Sequence, residues 1–289
     1  MHILITGSNG QLGSELFDRS KDNPQHTYVF VDVDVLDITD RAAVDAFFRA
    51  QHFDACINCA AYTAVDKAES NESLAFDINV TGVENLARAC SAHGATLYHI
   101  STDFVFDGQK GSPYTVDDPV EPLSVYGRTK AEGEYRAFMV CSNTILIRTS
   151  WVYSFYGNNF VKTMIRLGKE KESIQVVDDQ TGSPTYAYDL AKVLFVALEK
   201  QGAVPPGIYH FTDAGSTTWF GFAQKIMELY GLPCVVHPIP TSGYPTPAQR
   251  PAYSVLDCSL IQQTLNIEIP HWELALEQCI SRLKNETDA

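Results

Sequence analysis

The sequence predicts an α/β protein, a doubly wound parallel sheet with a smaller, interleaved C-terminal lobe. Short apolar runs alternate with helical patterns through residues 1–150. These runs are apolar on both faces, which a strand needs when helices cover both sides of its sheet. After about residue 150 the alternation breaks down and Pro and Gly gather into clusters.

Along the chain, "HILIT" (2–6) reads as the first strand and 11–20 as the helix after it. "TYVFVD" (27–32) is the second strand, and a helix over 41–51 follows a Thr39-Asp40 cap signal. "ACIN" (55–58) is the third strand, followed by one long helix over 72–93. "TLYHIS" (96–101), a helix over 124–139 and "TILIRTS" (144–150) complete the alternation. Beyond it, helices are expected near 160–171, 187–200, 218–230 and 271–284, with strands near 174–177 and 207–212. The stretch "HPIPTSGYPTPAQRP" (237–251) reads as a long loop facing a ligand.

Composition excludes several classes. Hydrophobic residues make up 45% and charged residues 19%, as in a packed protein and unlike a disordered one. A net charge of -14 with no basic cluster argues against a nucleic-acid partner. No apolar run approaches the roughly 18 residues of a membrane span, and the N-terminus reads at once as strand and turn, so a cytoplasmic protein is expected. The seven cysteines are scattered and odd in number, as reduced thiols are. Cys56 and Cys59 have C-x-x-C spacing but no second pair, so they read as core. No metal constellation is visible, and Glu15 has no partners at ligand spacing.

Between the first strand and its helix lies Gly7-Ser-Asn-Gly10-Gln11-Leu12-Gly13. Such a turn lets backbone N–H groups approach a pyrophosphate, with the positive end of the helix behind them. Asp32 ends the second apolar run, where a carboxylate would accept hydrogen bonds from an adenosine ribose. It would repel a 2'-phosphate and so favour NADH, although Asp34 is close enough to compete for the position. Asp37 and Ile38 follow at a distance suited to flanking an adenine. Ala60, Ala61, Tyr62 and Thr63 leave the third strand, through small residues first, as a backbone passing near a cofactor would. Residues 1–150 are therefore expected to bind a dinucleotide, and 151–289 to form mainly a substrate lobe.

The fourth strand ends in Ser101, Thr102 and Asp103, and the next helix carries Tyr126 and Lys130. A four-residue separation by itself only stacks two side chains on one helical face. Together with the glycine turn and the strand-end threonine, it resembles the active site of the extended short-chain dehydrogenase/reductase superfamily. More narrowly, "GSNGQLG", "AAYTAVDKAE", "STDFVFDG", "VYGRTKAEGE", "RTSWVY", "GNNFVKTM", "DDQTGSPT" and "YPTPAQRP" resemble the dTDP-4-dehydrorhamnose reductase family, from residue 7 to 251.

That resemblance implies reduction of the 4-keto group of dTDP-4-dehydro-L-rhamnose with NADPH or NADH, with a homodimer as the assembly left open. It implies Tyr126 as proton donor, Lys130 as its electrostatic partner and a holder of the nicotinamide ribose, and Thr102 as a hydrogen-bond partner of the substrate oxygen. Asp103 would meet sugar hydroxyls, Trp151 would wall the sugar pocket, and Arg250 would meet the diphosphate. Phe104 departs from the family pattern, which has tyrosine there. Two alternatives remain at this point: a nucleotide-sugar epimerase of the same superfamily, and a non-catalytic subunit like the regulatory subunit of methionine adenosyltransferase. Dehydration is disfavoured, because Phe104 stands where a dehydratase places a glutamate.

Overall fold

The computed structural model describes residues 1–200 and 202–287. Its first half follows the predicted alternation: β1 (His2–Thr6), α1 (Gln11–Ser20), β2 (Thr27–Val31), α2 (Arg41–Ala50) and β3 (Ala55–Asn58). Next come α3 (Val65–Ala68), α4 (Glu72–Phe76), a π-helical turn (Asp77–Gly82) and α5 (Val83–His93). Then follow β4 (Thr96–Thr102), α6 (Val125–Val140) and β5 (Thr144–Thr149). The second half holds β6 (Val152–Tyr153), α7 (Phe160–Glu170), β7 (Ser173–Val177), β8 (Thr181–Gly182), β9 (Thr185–Tyr186) and α8 (Ala187–Glu199). It continues with β10 (Gly207–His210), β11 (Thr217–Thr218), α9 (Trp219–Tyr230), β12 (Val235–Ile239), α10 (Ser259–Leu265) and α11 (Trp272–Thr287).

Six strands form one parallel sheet in the order β2-β1-β3-β4-β5-β10. The pleat sends Ile3 and Ile5 to one face, against Leu12 and Leu16 of α1 and Leu194 of α8. It sends Leu4 to the other, against Val44 and Phe48 of α2, Leu86 of α5 and Ala137 of α6. The strand order reverses between β1 and β3, so a crevice opens above their carboxyl ends. A second core, with Val161, Phe222, Ile226 and Leu276, joins α7, α9 and α11. β10 comes from the segment expected in the smaller lobe, yet it pairs with β5 as the sixth strand.

Two elements differ from the sequence expectation. The single helix over 72–93 is divided by the π-turn, which inserts extra backbone where Asn79 must face both the β3 loop and α6. The expected loop from 237 begins inside β12, which pairs with β7 and sets Pro238 opposite Val176. On a two-stranded edge the missing proline N–H breaks no second ladder.

Candidate active site

The glycine turn closes through a hydrogen bond from Gly10 N to Gly7 O (3.1 Å). Gly7 has φ +65, and a Cβ there would come within 2.6 Å of Ala60 N. A Cβ on Gly13 would come within 2.6 Å of the Ser8 Cα. The turn is thus pressed onto the end of β3 with no room for side chains. Gly10 precedes α1 as its N-cap and offers no side-chain cap, which leaves the first-turn N–H groups free for a ligand at the turn. These features fit a pyrophosphate. The Leu12 side chain is core, so it can contribute only backbone to such a ligand. Gln11 accepts a bond from Asn159 Nδ2 (3.0 Å).

Asp32 reaches the same turn, accepting from Asn9 N (2.9 Å) and Val33 N (2.8 Å). Asp37 accepts from the Thr39 backbone and hydroxyl, and it is exposed. Ile38 is buried against Gly82 of the π-turn, so its side chain supports the loop from below. On the β3 side, Asn58 accepts from Thr6 Oγ1 (2.7 Å) and Ala60 N (3.0 Å) and meets His99 Nδ1 (3.1 Å). Asn79 grips the Tyr62 backbone in both directions (2.8 and 3.2 Å) and donates to Thr129 Oγ1 of α6 (3.1 Å). The loop carrying Ala60–Thr63 is thereby tied to the helix carrying Tyr126 and Lys130. Tyr62 and Tyr126 pack on one apolar cluster. Neither asparagine stands out in the sequence, because Asn79 acts wholly, and Asn58 mainly, on residues far along the chain.

Thr102, Asp103, Tyr126 and Lys130 converge at the carboxyl edge of β4. Ser124 caps α6 by accepting from Gly127 N (3.1 Å), which starts the helix beside the strand end. Thr102 donates to Asp103 Oδ1 (3.0 Å) and accepts from Phe104 N (3.2 Å). Asp103 is buried, and its Oδ2 has no protein partner. Burial raises its carboxyl to about 6, against the lowering pull of the Ser254 and Thr102 hydroxyls. A buried carboxylate oxygen without a donor suits a sugar hydroxyl. Phe104 packs edge-on to Tyr126, ring centres 5.5 Å apart.

Burial pushes the Tyr126 phenol up to about 12, partly offset by the Thr102 hydroxyl, with nearby Asp103 adding to the rise. Lys130 Nζ donates to Ile100 O (2.7 Å). Its own burial brings the amine down to about 8, while Glu134 and Cys59 pull upward. A phenol that keeps its proton at neutral pH is suited to act as an acid.

Beneath these residues lies a network that spacing does not reveal. Arg148 of β5 forks onto Glu134 (2.6 and 3.0 Å), and Ser101 donates to the same carboxylate (2.5 Å). All three are buried. Glu134 sits one turn beyond Lys130, so the ion pair anchors α6 to β4 and β5 under the reacting edge. Ser101 is therefore structural, facing away from the crevice chemistry.

Trp151 follows β5 by two residues, and β5 sets Thr149 opposite Thr102. Its ring stacks on Trp219 at 3.6 Å. Arg250 is engaged within the protein: its fork holds Asp66 (3.0 and 2.8 Å) and also reaches Thr246 Oγ1 (2.5 Å). The "AVDKAE" and "YPTPAQRP" stretches are thus clasped together, and a diphosphate would meet Arg250 only alongside Asp66. The cysteines are free thiols, and no group of His, Cys, Asp or Glu among the described residues could hold a metal ion. No helix among them is long and apolar enough to cross a membrane.

Comparison with known proteins gives this geometry its family. The family model described as "RmlD substrate binding domain" matches residues 1–285. The dTDP-4-dehydrorhamnose reductase of Aggregatibacter actinomycetemcomitans is 43% identical over 287 residues, 95% of this chain and 97% of the relative. The crystal structure of a dTDP-4-dehydrorhamnose reductase from Clostridium acetobutylicum superposes with a TM-score of 0.95 at 42% identity, covering 98% of this chain and 100% of that one. That from Bacillus anthracis, in complex with NADP, gives 0.93 at 39%, covering 97% and 99%. With near-complete coverage on both sides, the chain belongs to the dTDP-4-dehydrorhamnose reductase family.

Proposed function

We propose that this protein reduces the 4-keto group of dTDP-4-dehydro-L-rhamnose to dTDP-L-rhamnose with NADPH or NADH. The observation that carries the reading is the meeting of Thr102, Asp103, Tyr126 and Lys130 at one strand end, beside a turn shaped for a pyrophosphate. The epimerase and binding-subunit alternatives have no comparable support, since the full-length relatives are reductases. In this reading residues 1–150 carry the dinucleotide and 151–289 mainly the sugar nucleotide; Gln201, Asp288 and Ala289 lie outside the described residues.

Gly7, Gly10 and Gly13, with the N-terminus of α1, hold the pyrophosphate, and Asp32 faces the adenosine ribose. Ala60–Thr63 lie along the dinucleotide, and Lys130 holds the nicotinamide ribose. When bound, the dinucleotide supplies the hydride. Tyr126 donates its phenolic proton to the sugar O4 as the carbonyl oxygen gains negative charge. Thr102 turns its hydroxyl from Asp103 toward the same oxygen, and Asp103 Oδ2 accepts from a sugar hydroxyl. Lys130 stabilises the tyrosinate left behind until it is reprotonated.

Nicotinamide oxidation with enzymatically generated dTDP-4-dehydro-L-rhamnose tests the reading, run with NADPH and NADH in parallel. Turnover should fall by about two to four orders of magnitude in Tyr126→Phe. Folded wild-type protein that binds NADPH but turns over neither cofactor would sink it. The free thiols support a cytoplasmic setting, to be checked by fractionation. A homodimer is the assembly proposed, to be checked by light scattering.

A further inference from the structure

Trp151 has φ +47, a left-handed backbone conformation that bulky residues rarely adopt. The only other non-glycine residue with positive φ among those described is Asn266, at the end of α10, where asparagine is an ordinary cap. A strained aromatic residue persists where its surroundings over-determine it. Here two neighbours do so. The Trp219 ring lies 3.6 Å from the Trp151 ring and within 9° of parallel. On Gly182, a Cβ would come within 2.5 Å of the Trp151 ring. Trp219 is itself braced by Phe160, ring centres 4.7 Å apart, and both indoles remain partly exposed. Trp219 begins α9, whose cap Thr218 accepts from Gly221 N (3.1 Å). The stacking partner is therefore set on a rigid helix start, while Trp151 sits on an irregular segment between β5 and β6.

We infer that Trp219 is a positioning residue for the sugar pocket: it holds the Trp151 indole in its strained conformation and thereby sets affinity for the sugar nucleotide. This rests on the proposed role of Trp151 as the pocket wall. No proton or hydride moves through Trp219, so its effect falls on the KM for the sugar nucleotide, with kcat and the KM for NADPH left near their original values.

The test compares Trp219→Phe, which can still stack, with Trp219→Leu, which keeps apolar bulk but cannot. The KM for the sugar nucleotide should rise about tenfold in Trp219→Leu and by no more than about threefold in Trp219→Phe. Excitonic coupling between two stacked indoles, which requires their transition moments to cross within the parallel planes, is read as a couplet in the far-UV circular dichroism of the wild-type protein. The couplet should vanish in Trp219→Phe, Trp219→Leu and Trp151→Phe and survive in Trp272→Phe, which removes the third tryptophan of the chain. Equal KM values in the Phe and Leu variants, or a couplet that survives loss of Trp219, would overturn the inference. Trp151→Ala separates the two levels. If its sugar KM is unchanged, the pocket reading fails. If that KM rises while Trp219→Leu matches wild type, only the role of Trp219 fails.

Discussion

The Gly7–Gly13 turn follows β1 and Trp151 of the Trp151–Trp219 stack follows β5, both at the carboxyl edge of one parallel sheet, and the two use the backbone in contrasting ways. At the turn, positive φ and the absence of side chains bring the chain against Ala60 and leave helix N–H groups for an anion. At the stack, positive φ carries one of the largest side chains, which a second large ring holds in place. The first device tolerates almost no added atom. The second should tolerate exchange for another flat ring. Binding of the dinucleotide should therefore respond sharply to small substitutions, and binding of the sugar should respond gradually.

The support beneath the reacting edge, between the turn and the stack, should be the most brittle. Glu134→Gln leaves the buried Arg148 charge without its carboxylate, at a cost of about 3 kcal/mol or more. Denaturant unfolding should show this as a lower midpoint with an unchanged slope. A loss below about 1 kcal/mol would mean that water already reaches the pair and that α6 is not anchored by it. Next in size, Gly7→Ala adds strain at φ +65 and a backbone clash at Ala60. NADPH affinity, read by nucleotide fluorescence, should fall by about 100-fold, or about 2.7 kcal/mol. An alanine variant binding normally would remove the contrast with the indole side.

The two sides also titrate at opposite ends of the neutral range. Asp103 has its pKa raised from 3.8 to about 6, so below that it is protonated and cannot accept from a sugar hydroxyl. The folded state binds that proton more readily than the unfolded chain. Asp103 therefore contributes stability as pH falls through about 6, and loses it as pH rises. Between 3.8 and about 6, kcat/KM for the sugar nucleotide should fall with no Asp103-linked loss of fold. Lys130 has its pKa lowered to about 8, so kcat/KM for NADPH should fall above that pH as its charge is lost. Changes of about tenfold per pH unit are expected on each limb. Asp103→Asn should abolish the acid limb and leave the alkaline one.

The same contrast explains what can be read from the sequence. The glycine turn, Thr102-Asp103 and Tyr126-Lys130 are local patterns, and the alternation of apolar runs marks each strand of the sheet as far as β5. Trp219 gives no such signal, since its partner lies on a different element and a lone tryptophan at a helix start reads as core. Glu134 and Arg148 look like ordinary helix and strand charges until α6 packs across β5. The π-turn is hidden because Asn79 acts on Tyr62 and Thr129, both outside its own helix. Burial also reverses a sign that charge counting suggests, raising the Tyr126 phenol where Lys130 alone would lower it.

The smallest effect expected concerns the clasp that joins the two sides. Arg250 forks onto Asp66, but both side chains are partly exposed, so solvent screens the pair and its contribution to stability should stay below about 1 kcal/mol. Hydrogen bonds from Arg250 and the Ala248 N–H hold the Asp66 carboxyl below its ordinary value. Its stabilisation is therefore present above the unfolded pKa of 3.8 and is lost as pH falls through the lower folded value. Asp66→Asn should barely move the thermal midpoint at neutral pH and should flatten the acid end of the stability curve. Its kinetic effect should be larger than its thermal one, because the clasp fixes the 246–250 loop: a rise of about threefold in KM for the sugar nucleotide, with kcat retained. An Asp66→Asn enzyme with unchanged KM and a lower midpoint would make the clasp a structural tie alone. A rise confined to the KM for NADPH would assign it to the turn side of the crevice.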